Sequence, residues 1–339
     1  MCAGVVQVKR VVTPPASWLP TLIVIVDTEE EFDWNAPFDH ACTSVSNIDL
    51  QLGAQRVFDR YGLVPTYVID YPVATTSSSV NILRALAKEG QCEIGAHLHP
   101  WVNPPFEGPV DKQHSYPGNL PPDLERRKLA SLTQAIASNF GQAPIVYKAG
   151  RYGLGPATAN SLRFLGYRID CSVVPHTDFS ADGGPDYTSY VAVPFEVVDG
   201  LIELPLSVHA VGHLAGYAPK LFRYLGGPLA RRLKLAGLSA RLGLLERLRL
   251  SPEGHTLADM IRQTRAALKA GTKIFMLTYH SSSLKPGATA YARNEGERDQ
   301  LLARLEGYIA FFVNELGGRT DTASRIAAAL CPPAPVASS

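Results

Sequence analysis

The chain has 339 residues, and its 32 basic against 31 acidic residues leave a formal net charge of +1. That balance gives no global field to draw it to nucleic acid, so no nucleic-acid partner is expected. The length suits one barrel-sized domain with a large core. Five scattered cysteines (Cys2, Cys42, Cys92, Cys171, Cys331), odd in number and without a CxxC pair, argue against a disulfide framework or a cysteine-zinc knuckle. The first residues carry only short apolar pieces broken by Lys9, Arg10 and prolines. No apolar run approaches the roughly 18 residues of a spanning helix. A soluble cytoplasmic protein with an N-terminal extension over 1–19 is the expectation.

From residue 20 onward, strand-like and helix-like patterns alternate. TLIVIVD (21–27) reads as a buried strand, and IDLQLGAQRVFDRYG (48–62) as a helix stopped by glycine. PTYVID (65–70) reads as strand, SVNILRALAKEG (79–90) as helix and CEIGAH (92–97) as strand. DLERRKLASLTQAIASNFG (123–141) is predicted as a helix capped by Asp123. IVYKAG, PATANSLRFLG and RIDCSVV continue as strand, helix and strand, and YVAVPFEV and LIELPLSV as further strands. SPEGHTLADMIRQTRAALKAG (251–271) is predicted as a helix with Ser251 as cap and Pro252 at its first position. The strand KIFMLTYH and the helix GERDQLLARLEGYIAFFVNEL follow. Repeated strand-then-helix order predicts an α/β fold with parallel strands, a domain over 20–318 and a C-terminal tail over 319–339.

In parallel barrels the reactive groups gather at the carboxyl ends of the strands. Four such ends here carry unusual polar residues: Asp27 to Glu31, His97 with His99, Arg151 with Tyr152, and Tyr279 with His280. Carboxylates crowded at a buried strand end repel one another unless a cation compensates. Side chains two apart in an extended segment share a face, so His97 and His99 can converge on one point. Two imidazoles and a carboxylate form an open site for zinc or another divalent metal, and the same trio serves iron. Arg151 can hold a site carboxylate in a bidentate pair, and His280 can protonate a leaving amine. Trp34, Trp101 and Tyr152, beside these ends, and His209 are candidate substrate-binding residues. The segment from Lys220 to Leu250 is basic and leucine-rich, with Glu246 as its one acid. It reads either as a helical insertion at about 219–250 packing on the barrel, or as a basic face for peripheral contact with anionic lipid or a phosphorylated substrate.

VDTEEEFDW, EIGAHLHPW, KAGRYG, LGYRIDCSV and LTYHSSSLKPG run in an order that resembles the NodB-type polysaccharide deacetylases. Within them the chain is most similar to the WalW-like branch linked to bacterial surface-polysaccharide and lipopolysaccharide synthesis. The resemblance spans about residues 20 to 316 and implies a distorted, incomplete (β/α) barrel. It implies Asp27 as catalytic base and Glu29 as metal ligand, with Glu30 as the alternative. His97 and His99 are the implied histidine ligands, spaced two apart where most members space them four apart. Arg151, or else Lys148, would hold the base, and His280 would be the general acid. The implied activity is metal-dependent removal of an N-acetyl group from an amino sugar, with zinc as the first candidate and cobalt, nickel or iron as alternatives. The substrate would be a nucleotide- or lipid-linked sugar precursor. Two other readings stay open: a glycoside hydrolase using Asp27 and Glu29, and a catalytically silent glycan-binding barrel.

Overall fold

Continuous apolar runs become strands covered on both faces, as a parallel sheet flanked by helices requires. In the computed structural model, which describes residues 8–34, 36–227, 230 and 232–331, β2 (Thr21–Thr28) is buried at all eight positions. The other strands are β1 (Arg10–Val11), β3 (Thr66–Ile69), β4 (Glu93–Leu98), β5 (Val146–Ala149), β6 (Ile169–Asp170), β7 (Phe195–Val198), β8 (Leu201–Glu203), β9 (Val208–Val211), β10 (Glu246–Arg249), β11 (Ile274–His280) and β12 (Arg319–Thr320). Between them lie α1 (Gln51–Arg60), α2 (Tyr71–Thr75), α3 (Ser77–Lys88), α4 (Pro122–Phe140), α5 (Thr158–Phe164), α6 (Ala218–Leu225), α7 (Leu235–Arg241), α8 (Leu257–Lys269), α9 (Glu295–Ala310) and α10 (Ala323–Leu330).

The main sheet runs β1-β7-β8-β6-β5-β4-β3-β2-β11, with β12 also beside β2. Pairing is parallel from β8 through to β11, while β7 and β1 are added antiparallel at the edge. The fold is thus α/β with a mainly parallel sheet, as expected. Strand pairing among the described residues leaves a gap between β8 and β11. The chain on either side of the β9–β10 hairpin spans it: Leu206 N donates to Val173 O, Met276 N to Ser207 Oγ and Thr278 N to Leu250 O (3.0, 2.8 and 3.2 Å). This is the incomplete barrel in physical form, a ring of strands bridged at one side by irregular backbone.

Several boundaries differ from the sequence reading. Asp123 lies in the first turn of α4, not at its cap; Pro121 starts the helix and Asp123 pairs with Arg126 and Arg127 at 2.8 and 2.9 Å. The helix expected to be capped by Ser251 is capped five residues later, by Thr256. Thr256 caps α8 in a reciprocal box with Asp259, which frees residues 251–255 to form a loop. The segments expected as extension and tail are built into the sheet. β1 pairs with β7, β12 lies along β2, and α10 buries Ala323, Ile326 and Ala327. Residues 1–7 and 332–339 of those segments lie outside the described residues.

Between the sheet and α4 and α5, buried carboxyls replace apolar side chains. Asp170 on β6 and Glu203 on β8 are register partners, and burial pushes both up, Asp170 to about 7 and Glu203 well above its ordinary value. Glu125 of α4 accepts a hydrogen bond from Thr158 Oγ1 of α5, and burial, reinforced by Asp170, pushes it up to about 8. The folded state therefore holds a proton on Glu125 that the unfolded chain, near about 4.3, gives up. Stability from this group is fully present below the unfolded value and is lost as pH rises toward 8. Melting curves of Glu125→Gln and wild type should accordingly diverge between pH 5 and 8.5, with only the wild type losing Tm from this site. Parallel curves would remove Glu125 as the source.

Candidate metal centre and catalytic site

Parallel register puts the polar strand ends in one layer. His280 on β11 pairs with Asp27 on β2, and His97 on β4 pairs with Lys148 on β5. Because strand side chains alternate, Lys148 points to the same inner face as His97, and its stem crosses to β2. Nζ donates to both carboxylate oxygens of Asp27, at 2.5 Å to Oδ1, and both side chains are almost completely buried. Burial alone would raise the Asp27 carboxyl; the Lys148 ammonium, aided by His97 and His280, outweighs it and holds Asp27 far below the usual carboxylate range. Breaking a buried pair of this kind leaves an uncompensated charge.

Two residues past Asp27, the chain delivers Glu29 to the centre of the ring. Its backbone is pinned by Ser281 Oγ, which accepts from Glu29 N at 3.1 Å, and by Asn47 Nδ2, which donates to Glu29 O at 3.0 Å. Glu29 Oε2 lies 3.5 Å from His97 Nε2 and 3.4 Å from His99 Nε2. The opposite ring nitrogens fix the tautomers. His97 Nδ1 must donate to the Lys148 carbonyl (2.9 Å), which can only accept, and His99 Nδ1 donates to Glu30 Oε2 (2.7 Å). Burial, the largest effect on each imidazole, lowers both below the ordinary value, His97 to about 3, so each is neutral with a bare Nε2 lone pair. Glu29 Oε2, His97 Nε2 and His99 Nε2 are all buried without a hydrogen-bond partner. Three buried acceptors facing one another make a place for a cation, and carboxylate plus two imidazoles is a donor set that fits a divalent metal.

Around this trio a second layer fixes orientation. Glu30 accepts from His99 and, at 2.7 Å, from Trp101 Nε1, while Asp70 Oδ2 accepts from Glu30 N at 2.6 Å. Trp101 is 2% exposed and stacks on His99 with ring centroids 4.2 Å apart. The loop after His99 is tied down by Lys128, which donates to the carbonyls of Pro100, Asn103 and Pro105 (2.9, 2.5 and 2.7 Å). Gly150 provides room: a Cβ there would sit 1.9 Å from His99 Cδ2. Glu29 thus faces both imidazoles, while Glu30 lies behind one of them and forms a second buried group with Asp70 and His99.

His280 stands on the far side of Asp27, its Nε2 3.5 Å from Asp27 Oδ2. Its Nδ1 donates to Glu253 Oε2 at 2.9 Å, and Glu253 also accepts from His280 N and Ser283 Oγ (2.9 and 2.6 Å). Burial would lower His280, but Glu253 and Glu29 outweigh it and hold the imidazole well above its ordinary value, protonated at neutral pH. Glu253 escaped the sequence reading because residues 251–255 were assigned to a helix. Its one signal is an acid in a Pro-Glu-Gly turn just upstream of a capping threonine.

Three expected roles are corrected by position. Arg151 does not touch Asp27. It lies beyond the end of β5, where the left-handed Tyr152 (φ 56°) turns the chain, and stacks on Tyr116 (4.4 Å to the ring centre) while donating to Ser115 Oγ at 3.1 Å. Lys148, inside the strand, takes its place. Trp101 is a buried support for His99, not an open sugar platform. His209 sits against α8, where Gln263 Nε2 donates to its Nδ1 at 2.7 Å, and it borders a different cavity from the one that opens onto Glu29. Trp34 and Tyr152 do line that opening, a cavity of about 1070 Å³ with Glu29, His280, Arg249 and Lys285 on its walls.

The fold and the centre together define an α/β barrel-like chain with a buried two-histidine, one-carboxylate cluster beside a charged Asp–His pair. No family model matches the chain, and no curated protein matches it. Among solved structures, Puue allantoinase is similar with a TM-score of 0.51 at 13% identity, over 94% of this chain and 93% of that one. A probable polysaccharide deacetylase from Pseudomonas aeruginosa PAO1 follows at 0.49 and 13%, over 91% and 90%. The chitin deacetylase of the fungal pathogen Colletotrichum lindemuthianum is similar at 0.41 and 12%, over 98% and 92%. At such identities the allantoinase likeness speaks for a shared fold.

Two substitutions test this geometry. Lys148→Met should destabilise the protein by about 3–5 kcal/mol in denaturant titration, more than Arg151→Ala, which leaves no buried Asp27 charge unpaired; equal losses would contradict the assignment of Lys148 to Asp27. Gly150→Ala should displace His99 and lower metal content after zinc loading, measured by elemental analysis against wild type.

Proposed function

We propose that the chain is a metal-dependent hydrolase that removes an N-acetyl group from an amino sugar. The observation that carries this reading is the set of three unpartnered buried acceptors lying beside Asp27 and His280 on neighbouring strand ends. Glu29, His97 and His99 would hold a divalent cation, which would supply Lewis acidity for the acetyl carbonyl and for water. Zinc suits the nitrogen and oxygen donors and cobalt, nickel or iron share them.

Asp27 is the proton acceptor for the attacking water, kept ionised by Lys148 at every working pH. His280, protonated and aimed by Glu253, delivers a proton to the departing amine nitrogen as the C–N bond breaks. Glu253 is a positioning residue: it fixes the tautomer and orientation of His280 and keeps it charged. Water adds to the acetyl carbon, the C–N bond breaks, and acetate and a free amino sugar leave. Trp34, 47% exposed at the opening, offers an apolar face for a sugar ring, and Tyr152 lines the same opening. We assign as substrate a nucleotide- or lipid-linked precursor of a surface polysaccharide, within the WalW-like pattern.

Against the glycoside hydrolase reading, Asp27 is committed to Lys148 and Glu29 to two imidazoles, so neither carboxyl is free to protonate a glycosidic oxygen. The silent-barrel reading is separated by experiment. Wild-type protein should bind about one metal ion per chain and release acetate from N-acetylated sugar precursors. His97→Ala/His99→Ala should lose both, and His280→Ala should keep the metal while losing roughly 10²–10⁴-fold in kcat. A protein that takes up no metal and ignores chelator would refute the proposal.

A further inference from the structure

The insertion between β9 and β10 leaves many of its large apolar side chains in solvent. On α7, the alanines Ala236 and Ala240 face a cavity shared with Phe222 and Leu225 of α6, while Leu235, Leu238 and Leu242 stand 36%, 52% and 61% exposed. Tyr217 and Tyr224 flank α6 at 66% and 77% exposure, and Leu233 is 58% exposed. An amphipathic helix in water buries its large apolar residues against the core; here Leu235 and Leu238 of α7 stand in solvent. Exposed apolar side chains scattered singly are ordinary, but these lie within one short segment.

The charge on the same segment has one sign. From Gly212 to Leu245 the sequence has Lys220, Arg223, Arg231, Arg232, Lys234 and Arg241 and no aspartate or glutamate. Lys220, Arg223, Arg232, Lys234 and Arg241 are exposed, and among the described residues none of these five is ion-paired. A second copy of the chain on this face would set like charges against like in a two-fold contact, which disfavours self-association there. Leucines that penetrate, tyrosines at the boundary and basic groups around them match a bilayer surface carrying anionic headgroups.

We infer that the face formed by α6 and α7 docks the protein onto an anionic lipid bilayer. The face adjoins the catalytic opening. Phe179 and Asp182 border the cavity under α6 and α7, and Phe179 stacks on Tyr152 at 5.5 Å in the wall around Glu29. Docking therefore brings the opening near the headgroup layer, where a lipid-linked sugar is presented. The inference rests on the insertion alone and not on the hydrolase reading.

Flotation of the full chain with phosphatidylcholine vesicles, with and without phosphatidylglycerol, tests it. Binding should require phosphatidylglycerol and fall steeply as salt rises from ~0.1 to ~1 M. Arg232→Glu/Lys234→Glu should weaken partitioning at least about 25-fold, at roughly fivefold for each basic residue lost. Leu238→Asp/Leu242→Asp should weaken it at least about tenfold, with unchanged thermal melts because both leucines are exposed. His97→Ala/His99→Ala should float like wild type, so loss of the hydrolase reading and loss of this one are distinguishable. No flotation on anionic vesicles, equal flotation on neutral ones, or a concentration-dependent dimer that the leucine variant abolishes would overturn it.

Discussion

Three buried acceptors that face one another without a donor set the terms for the rest of this structure. Neutral imidazole lone pairs and a carboxylate oxygen at 3.4 to 3.5 Å cannot satisfy each other, so the interior around them is arranged to make one position suit a cation. Everything adjacent serves that arrangement. The Lys148 carbonyl and Glu30 take the protons of the other ring nitrogens, Trp101 stacks on His99, and Gly150 has no Cβ because His99 occupies that space. The buried Asp27–Lys148 pair next door is fully charged for a related reason. A lone carboxylate at that depth would take up a proton, and only a partner of opposite sign within the same dry pocket keeps it ionised.

Parallel register is how the chain assembles this without a long-range scaffold. Each strand enters from the same end, so residues after Asp27, His97, Lys148 and His280 all emerge at one mouth. The chain flanking the β9–β10 hairpin spans the remaining gap, and the end of β10 and the loop after it carry Arg249 and Glu253 to the same mouth. The two sides of His280 therefore come from different parts of the chain: Asp27 from the second strand and Glu253 from the segment before α8. The side chain is held between two carboxylates, which keeps its proton on while leaving it 22% exposed toward the opening.

Much of this could be read from the residues. The order of apolar runs and helices located most elements, because burial on both faces leaves a continuous hydrophobic signature. HxH at a strand end placed two imidazoles on one face, because strand periodicity is two. What pattern could not supply was competition between similar residues. Arg151 is the better carboxylate clamp by chemistry, yet it lies past the end of β5, and the turn at Tyr152 carries it to Ser115 and Tyr116. Lys148 is the residue that strand alternation turns inward. His209 is turned by its strand toward Gln263 on α8 and a cavity other than the one at Glu29.

The sequence by itself determined the alternation of strand and helix, the gathering of Asp27, His97, His99 and His280 at strand ends, and the one-signed charge of the insertion. Each of these depends only on neighbours in the chain. The tertiary structure alone decided which of Glu29 and Glu30 faces the imidazoles, that Lys148 and not Arg151 holds Asp27, that Glu253 backs His280, and that the leucines of α7 face outward. The side-chain pairings among them depend on distances of a few ångströms between residues 27 to 121 apart in the chain, and no local periodicity encodes them.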